Sequence, residues 1–227
     1  MATTNDRQET KLIALSTGLP REVAWRGRTV TTGIFKQPVT GRIALRTLNL
    51  DGDRQADLTV HGGAHKAVYC YPFEHYDYWK HALPGRDLPI PIFGENFTTQ
   101  GMDEDSVHLG DRFAVGSAEV IVTQPRLPCY KLGIRFQADD IVKRFLASGR
   151  TGFYLAVTRE GDVGAGDEMA LVSRDREAVP ISAITRLYVA ERYTADDVAA
   201  ARRARRVDAL PESWKAYLRD RLSESAS

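Results

Sequence analysis

The residues of this sequence best suited to chemistry lie in three short loops. Cys129 stands in QPRLPCYKLG, between two prolines and a glycine, with Arg126 and Lys131 close by. Proline fixes φ and removes an N–H from any ladder, so the segment reads as a rigid loop after a strand. Neighbouring cations stabilise a thiolate. A soft thiolate can ligate a metal such as molybdenum or hold a sulfane sulfur as a persulfide. A buried packing cysteine is the alternative.

The second loop is DLTVHGGAHKAVYCYP, where Thr59, His61, His65 and Lys66 surround Gly62 and Gly63. A glycine pair lets backbone N–H groups approach an anion closely, and Lys66 adds a point charge. The set suits a phosphate or another compact anion; a turn of solvated polar residues is the alternative. The third loop, FGENFTTQG, offers Gly94 for a tight turn, Glu95 as an acceptor and Asn96 as an amide. An amide both donates and accepts, so Asn96 could read a heterocycle edge or cap a turn. Arg26, Arg28 and Lys36, in WRGRTVTTGIFK, face either a cleft or water. Cys70, in the apolar AVYCYP, reads as a packing residue.

Several chemistries lack their signatures. The chain has no GxxxxGK[ST], GxSxG, GxGxxG, HExxH or CxxC. A P-loop, an α/β-hydrolase elbow, a dinucleotide fold, a zincin and a dithiol or structural zinc site are therefore not expected. His61 and His65 are four apart but separated by two glycines, which disfavours helical metal ligation. No flavin, haem or nicotinamide signature is present, so a redox reaction would need an external donor.

The elements that must position these loops are mostly short strands. Thr29–Lys36, Ile43–Asn49, Ala67–Tyr71, Asp111–Val115, Glu119–Gln124, Phe153–Thr158 and Glu168–Ser173 are rich in β-branched and aromatic residues and bounded by glycine turns. Helices are expected over Pro72–Ala82 and over Asp139–Ser148, the latter capped by Asp139 or Asp140. After Pro180 the pattern turns helical: near Ser182–Ala190, over Ala195–Val207 with Thr194 as N-cap, and over Pro211–Leu222. The expected organisation is a polar, disordered tail over 1–10, a β-rich domain over 11–179 and a helical subdomain over 180–227.

Composition narrows the function further. With 31 Lys+Arg against 30 Asp+Glu and a net charge of +1, there is no basic excess for bulk nucleic-acid binding. The run Arg202, Arg203, Arg205 and Arg206 reads as a solvated or partner-facing helix surface. No apolar run approaches the roughly 20 residues of a membrane span, and the polar start lacks a secretory h-region. Two cysteines cannot form a disulfide framework at this length. A cytoplasmic protein, with neither nucleic acid nor membrane as partner, is the expectation.

Taken together, WRGRTVTTGIFKQPV, LDGDRQADLTVHGGAHKAVYCYP with EHYDYW, FGENFTTQGMDEDSVHLGDRF and QPRLPCYKLGIRF resemble the MOSC domain family, named for the C-terminal domain of molybdenum-cofactor sulfurases. The likeness is to its YiiM-like branch; TGFYLAV, VGAGDEM and the tail LPESWKAYLRDRL continue it. The resemblance implies a mainly β fold with α: a MOSC-type β-barrel core, flanking helices and a small C-terminal helical subdomain. It implies a molybdopterin-type molybdenum cofactor, with no requirement for pyridoxal phosphate. Cys129 becomes the catalytic residue and molybdenum ligand. Thr59, His61, Gly62, Gly63, Lys66, Asn96, Arg126, Lys131 and Arg28 become cofactor-binding residues. The implied activity is reduction of N-hydroxylated bases or related compounds, in the manner of a molybdenum-dependent oxidoreductase. Its partners would be the small-molecule substrate and an external electron-donor reductase, with a homodimer left open. Two alternatives stand beside it. One is a non-catalytic carrier of the cofactor, or of sulfur as a Cys129 persulfide. The other is an interaction protein that uses its arginine-rich helix.

Overall fold

The computed structural model describes residues 10–56 and 63–225. In chain order the elements are β1 (Lys11–Thr17), β2 (Arg21–Trp25), β3 (Arg28–Thr32), β4 (Gln37–Pro38), β5 (Arg42–Leu45), β6 (Val68–Pro72), α1 (Glu74–Ala82), β7 (Phe97–Gln100), β8 (Arg112–Val115), β9 (Ala118–Pro125), α2 (Tyr130–Phe136), α3 (Ile141–Ala147), β10 (Phe153–Arg159), β11 (Gly161–Gly164), β12 (Met169–Ser173), α4 (Ile181–Val189), α5 (Ala195–Ala204) and α6 (Glu212–Glu224). A 3₁₀ turn, Ala64–Lys66, leads into β6.

The period-two pattern of β9 shows why the sheet forms. Ala118, Val120 and Val122 are fully buried, while Glu119 and Ile121 are only partly covered. Phe153 and Leu155 of β10 fall on the same buried side of the antiparallel pair. Eight strands run in the order β12-β8-β9-β10-β6-β7-β1-β4. The sheet then curls until its ends meet. Lys11 bridges Glu168, the Met169 N–H donates to Thr10 O at 2.9 Å, and the Leu12 N–H donates to Asp167 O at 2.9 Å. Curling pairs the free edges that a flat sheet would expose. The expected barrel-like core with flanking helices is what the chain forms.

A second layer lies against this barrel. Tyr71, Tyr76, Trp79, Phe93, Phe136 and Phe145 form a cluster under α1, α2 and α3. The Trp79 indole N–H donates to the Tyr71 hydroxyl at 2.7 Å, and the Trp79 and Phe145 rings stack at 5.6 Å. Large rings supply most of the apolar area here, so the helices bind the sheet through aromatic contact.

The C-terminal helices share the barrel's core. Ile184, Leu187, Ala201, Leu210 and Leu218 belong to the same apolar cluster as the strands. The Trp214 indole N–H donates to Gln124 Oε1 of β9 at 2.7 Å. Thr194 caps α5 in a reciprocal box with Asp197: its hydroxyl oxygen accepts from the Asp197 N–H at 3.2 Å, and Asp197 Oδ2 accepts from the Thr194 N–H at 3.0 Å. Thr194→Ala is expected to cost about 1 kcal/mol, read as a lower midpoint in urea unfolding. Part of the arginine run is engaged: Arg206 holds the Glu177 carboxylate through two bonds of 2.9 and 2.6 Å, and Arg203 donates to Glu177 O at 3.2 Å.

The structure differs from the sequence reading at several places. YKLGIRF forms α2, so the cysteine loop ends at Cys129 rather than running on. Gly133 reads as a breaker, yet a Cβ there would lie 3.1 Å from Ala138 O, so the glycine allows a close chain approach inside the helix. Pro72 ends β6 instead of opening α1. Strands β1, β2, β4, β7 and β11 are additional to those expected. Residues 1–9 of the expected tail lie outside the described residues, whereas the Thr10 hydroxyl donates to Met169 O at 2.6 Å. Among the described residues no helix is long and apolar enough to cross a membrane.

Candidate functional site

A cleft open to solvent lies where the barrel wall meets the aromatic layer. Lys66 and Tyr69 enter from the start of β6. The loop before β7 brings Phe93, Gly94 and Asn96. The end of β9 delivers Arg126, Cys129 immediately precedes α2, and Lys131 lies in its first turn. Residues 32–36 and 53–56 close the cleft from the other side. Two glycines allow this closure. A Cβ on Gly94, at φ +80, would sit 2.6 Å from Ile34 Cγ1, and one on Gly33 would sit 2.7 Å from Arg54 O.

A buried ion pair fixes that wall. The Lys36 ammonium donates to Asp53 Oδ1, which also accepts the Gly18 N–H at 2.9 Å. Burial pulls the Lys36 pKa down, and Asp53 opposes the shift. Lys36 is therefore already matched. Arg54, Lys66, Arg126 and Lys131 also line the cleft, and Asp53 is the one carboxylate among the described lining residues. The cleft carries net positive charge although the chain is nearly neutral. Burial also lowers the Lys66 pKa.

Arg126 is the decisive residue. It is only 6% exposed, and its guanidinium lies 5.0 Å from the Tyr69 ring centroid and 5.1 Å from that of Phe145. Its Nη1 is buried with no hydrogen-bond partner among the described residues. An arginine cannot escape such a place by losing its proton. A buried, unpaired, charged donor costs about 1–3 kcal/mol or more, so a cleft built around one is suited to receive an anion. The phenols of Tyr69 and Tyr154 are pushed up by burial and stay protonated; the Tyr69 hydroxyl donates to Thr151 O at 2.8 Å.

Of the residues singled out in the sequence, Lys66, Asn96, Arg126, Cys129 and Lys131 line this one cleft. Thr59, His61 and Gly62 lie outside the described residues. Gly63 is exposed beside the 3₁₀ turn and is not among the lining residues. Arg28 sits on the exposed β2–β3 ribbon, away from the lining. Cys70 is fully buried in the barrel core; burial drives its thiol up to about 12.

Asn96 reaches the cleft, but its amide is committed to the protein. Nδ2 donates to Asp53 Oδ2 at 2.9 Å and to Ser16 O at 3.2 Å, while Oδ1 accepts the Tyr69 N–H at 3.1 Å. It joins β1, β6 and the Asp53 loop instead of reading a heterocycle. Asn96→Ala is expected to cost about 3 kcal/mol, because a buried N–H and a buried carboxylate lose their partner; urea unfolding measures this. Glu95 points into the aromatic layer, where Oε1 accepts from the Tyr76 hydroxyl and Oε2 from the Phe93 N–H at 3.1 Å. Burial raises its pKa.

Asp53, Arg54, Tyr69 and Tyr154 are lining residues that the sequence did not single out. The signal available for the first two was DGDR, a short polar run that reads as a turn. The two tyrosines look like strand residues with no special mark. Among the described residues no cluster of three or more His, Cys, Asp or Glu could hold a metal ion. Cys129 is the soft donor of the cleft.

Comparison with known proteins bears on the family and the fold. The MOSC domain matches residues 57–170, and the YiiM-like, 3-alpha helix domain matches residues 179–224. The chain is 38% identical over 214 residues to YflK of Bacillus subtilis (strain 168), covering 93% of this chain and 95% of that one. A protein of Gibberella moniliformis (strain M3125 / FGSC 7600) named Reductase is 33% identical over 151 residues, which are 65% of this chain but 27% of that protein. The crystal structure of YiiM from Geobacillus stearothermophilus superposes with a TM-score of 0.77 at 34% identity, covering 94% of this chain and 99% of that one. With these two domain matches and relatives similar over nearly the whole chain, this chain belongs to the MOSC domain family, in its YiiM-like branch.

Proposed function

We propose that the cleft binds an anionic, molybdopterin-type molybdenum cofactor and that the protein reduces N-hydroxylated bases or related N-hydroxylated compounds. The observation that carries this reading is Arg126: a buried guanidinium with an unpartnered Nη1 in the same cleft as a thiol and further cations. The donor set fits such a group. A phosphate-bearing pterin needs cations and hydrogen-bond donors, and a metal carried by an organic ligand needs one soft protein ligand rather than a full protein cage.

In this reading Arg126 holds the anionic part of the cofactor, with Lys66 and Lys131 adding charge. The Cys129 sulfur is the metal ligand. When bound, the cofactor supplies the two-electron redox chemistry. The overall reaction is R–NHOH + 2e⁻ + 2H⁺ → R–NH₂ + H₂O, with electrons from a separate reductase. The Lys66 ammonium, made more acidic by burial, is suited to deliver a proton to the departing oxygen. Tyr69, Tyr154 and Phe93 wall the cleft and limit water. A relative named Reductase, 33% identical over 151 residues, supports a reductive role.

The test is reconstitution with cofactor and a chemical reductant, followed by assay of hydroxylaminopurine reduction. Turnover supports the reading. Absence of turnover, with a persulfide on Cys129 by mass spectrometry after treatment with a cysteine desulfurase, would instead identify a sulfur carrier.

A further inference from the structure

A second cationic feature lies outside the cleft. Phe35 falls between Ile34 and Lys36, which both line the cleft, but is not itself a lining residue. Two guanidiniums gather over its ring: Arg21 of β2 with Cζ 3.9 Å from the centroid, and Arg135 of α2 at 5.0 Å. Neither has a carboxylate within ion-pair distance among the described residues. The one hydrogen bond of the Arg135 side chain is a 3.4 Å contact from Nε to Ile92 O. Burial lowers the Arg135 pKa, Glu95 opposes this, and the charge of Arg21 lowers it further, so the two cations are close enough to repel. Like charges held together on an aromatic ring without a carboxylate in ion-pair contact are an arrangement that an anion would stabilise.

The feature is also connected to the cleft. Lys131 and Arg135 are four residues apart on α2, hence neighbours on one helix face, with Cβ atoms about 6 Å apart. Lys131 of the cleft lining thus neighbours Arg135, which shares the Phe35 ring with Arg21. Arg26, on the same hairpin, differs because it is paired with Asp139.

We propose that Arg21 and Arg135 form a second anion-binding site for a phosphate or diphosphate group, so that the ligand of the cleft extends outward as a nucleotide. The phosphate could belong to the substrate, which would then be an N-hydroxylated nucleotide rather than a free base, or to a nucleotide extension of the cofactor. This deepens the reading given above. The binding arm of its test stands without catalysis.

The experiment is calorimetric titration of the full chain with inorganic pyrophosphate, for the wild type and for Arg21→Ala, Arg135→Ala, Arg135→Lys and Arg28→Ala. Thermal unfolding confirms that each variant is folded. Loss of affinity of about tenfold in Arg21→Ala and in Arg135→Ala, with partial retention in Arg135→Lys and no change in Arg28→Ala, is expected. Unchanged affinity in both alanine variants overturns the site. A kinetic arm then identifies the source of the phosphate. A lower KM for an N-hydroxylated nucleotide than for its free base, erased by Arg21→Ala while turnover of the free base persists, assigns it to the substrate. Pyrophosphate binding that depends on both arginines, without nucleotide preference, assigns it to the cofactor.

Discussion

Cys129→Ala is expected to lower reduction of hydroxylaminopurine by about a thousandfold or more, some 4 kcal/mol of transition-state stabilisation. The size follows from the proposed role: among the described lining residues of the cleft no other side chain is a soft metal ligand. Cys129→Ser should not rescue, since a hydroxyl oxygen is a hard donor at the same position. The fold should tolerate both changes. Cys129 is half-buried and makes no side-chain capping bond to α2, which is anchored by the buried Leu132 and Phe136. Cys70→Ala is the control with the opposite pattern. It removes a fully buried sulfur from the core, costing about 1–2 kcal/mol of stability, and leaves turnover intact. Steady-state kinetics and urea unfolding of the three variants separate these outcomes. Full activity in Cys129→Ala would remove the thiol from the mechanism.

Arg126→Met is expected to act on binding and stability in opposite directions. It deletes the guanidinium, whose Nη1 is buried without a partner among the described residues, while keeping an unbranched side chain against Tyr69 and Phe145. Affinity for the anionic cofactor should fall by about a hundredfold, or 2.7 kcal/mol. The cofactor-free variant should be as stable as the wild type or about 1–2 kcal/mol more stable, because a buried charge without a partner is itself destabilising. Cofactor retention through purification measures the first effect, and urea unfolding of the apo protein the second. A variant that is strongly destabilised, yet binds cofactor like the wild type, would make Arg126 a structural cation instead.

Much of the fold was legible because its strands are marked on both faces. Ala118–Pro125 and Phe153–Arg159 alternate over their first four residues, and Thr194 announces α5 through a local capping pattern. What escaped the reading depends on contacts between distant segments. The pairing of β1 with β7 and its closure onto residues 166–169 are set by segments far away in sequence. α2 contains a glycine whose purpose is seen only when Ala138 lies against it.

The site divides the same way. Cys129, Arg126 and Lys131 stand together in sequence and stay together in space. Lys66 joins them across the sheet, as its loop chemistry implied. Asn96 illustrates the limit: its residue type matched a ligand-reading amide, but Ser16, Asp53 and Tyr69 consume its hydrogen-bonding capacity. Asp53 and Arg54 come from a run that reads as an ordinary polar turn. Only the burial of the Lys36–Asp53 pair shows that this turn is a cleft wall.

The central claim is that this cleft holds a molybdenum-bearing pterin. Metal and pterin analysis of the protein purified from a cofactor-producing host, alongside Cys129→Ala and Arg126→Met, tests it most directly. Molybdenum and pterin are expected in near-equal, near-stoichiometric amounts in the wild type. Cys129→Ala should lose the metal more readily than the pterin, and Arg126→Met should lose both. A wild-type protein that carries neither molybdenum nor pterin under conditions that retain them in other molybdenum proteins would contradict it.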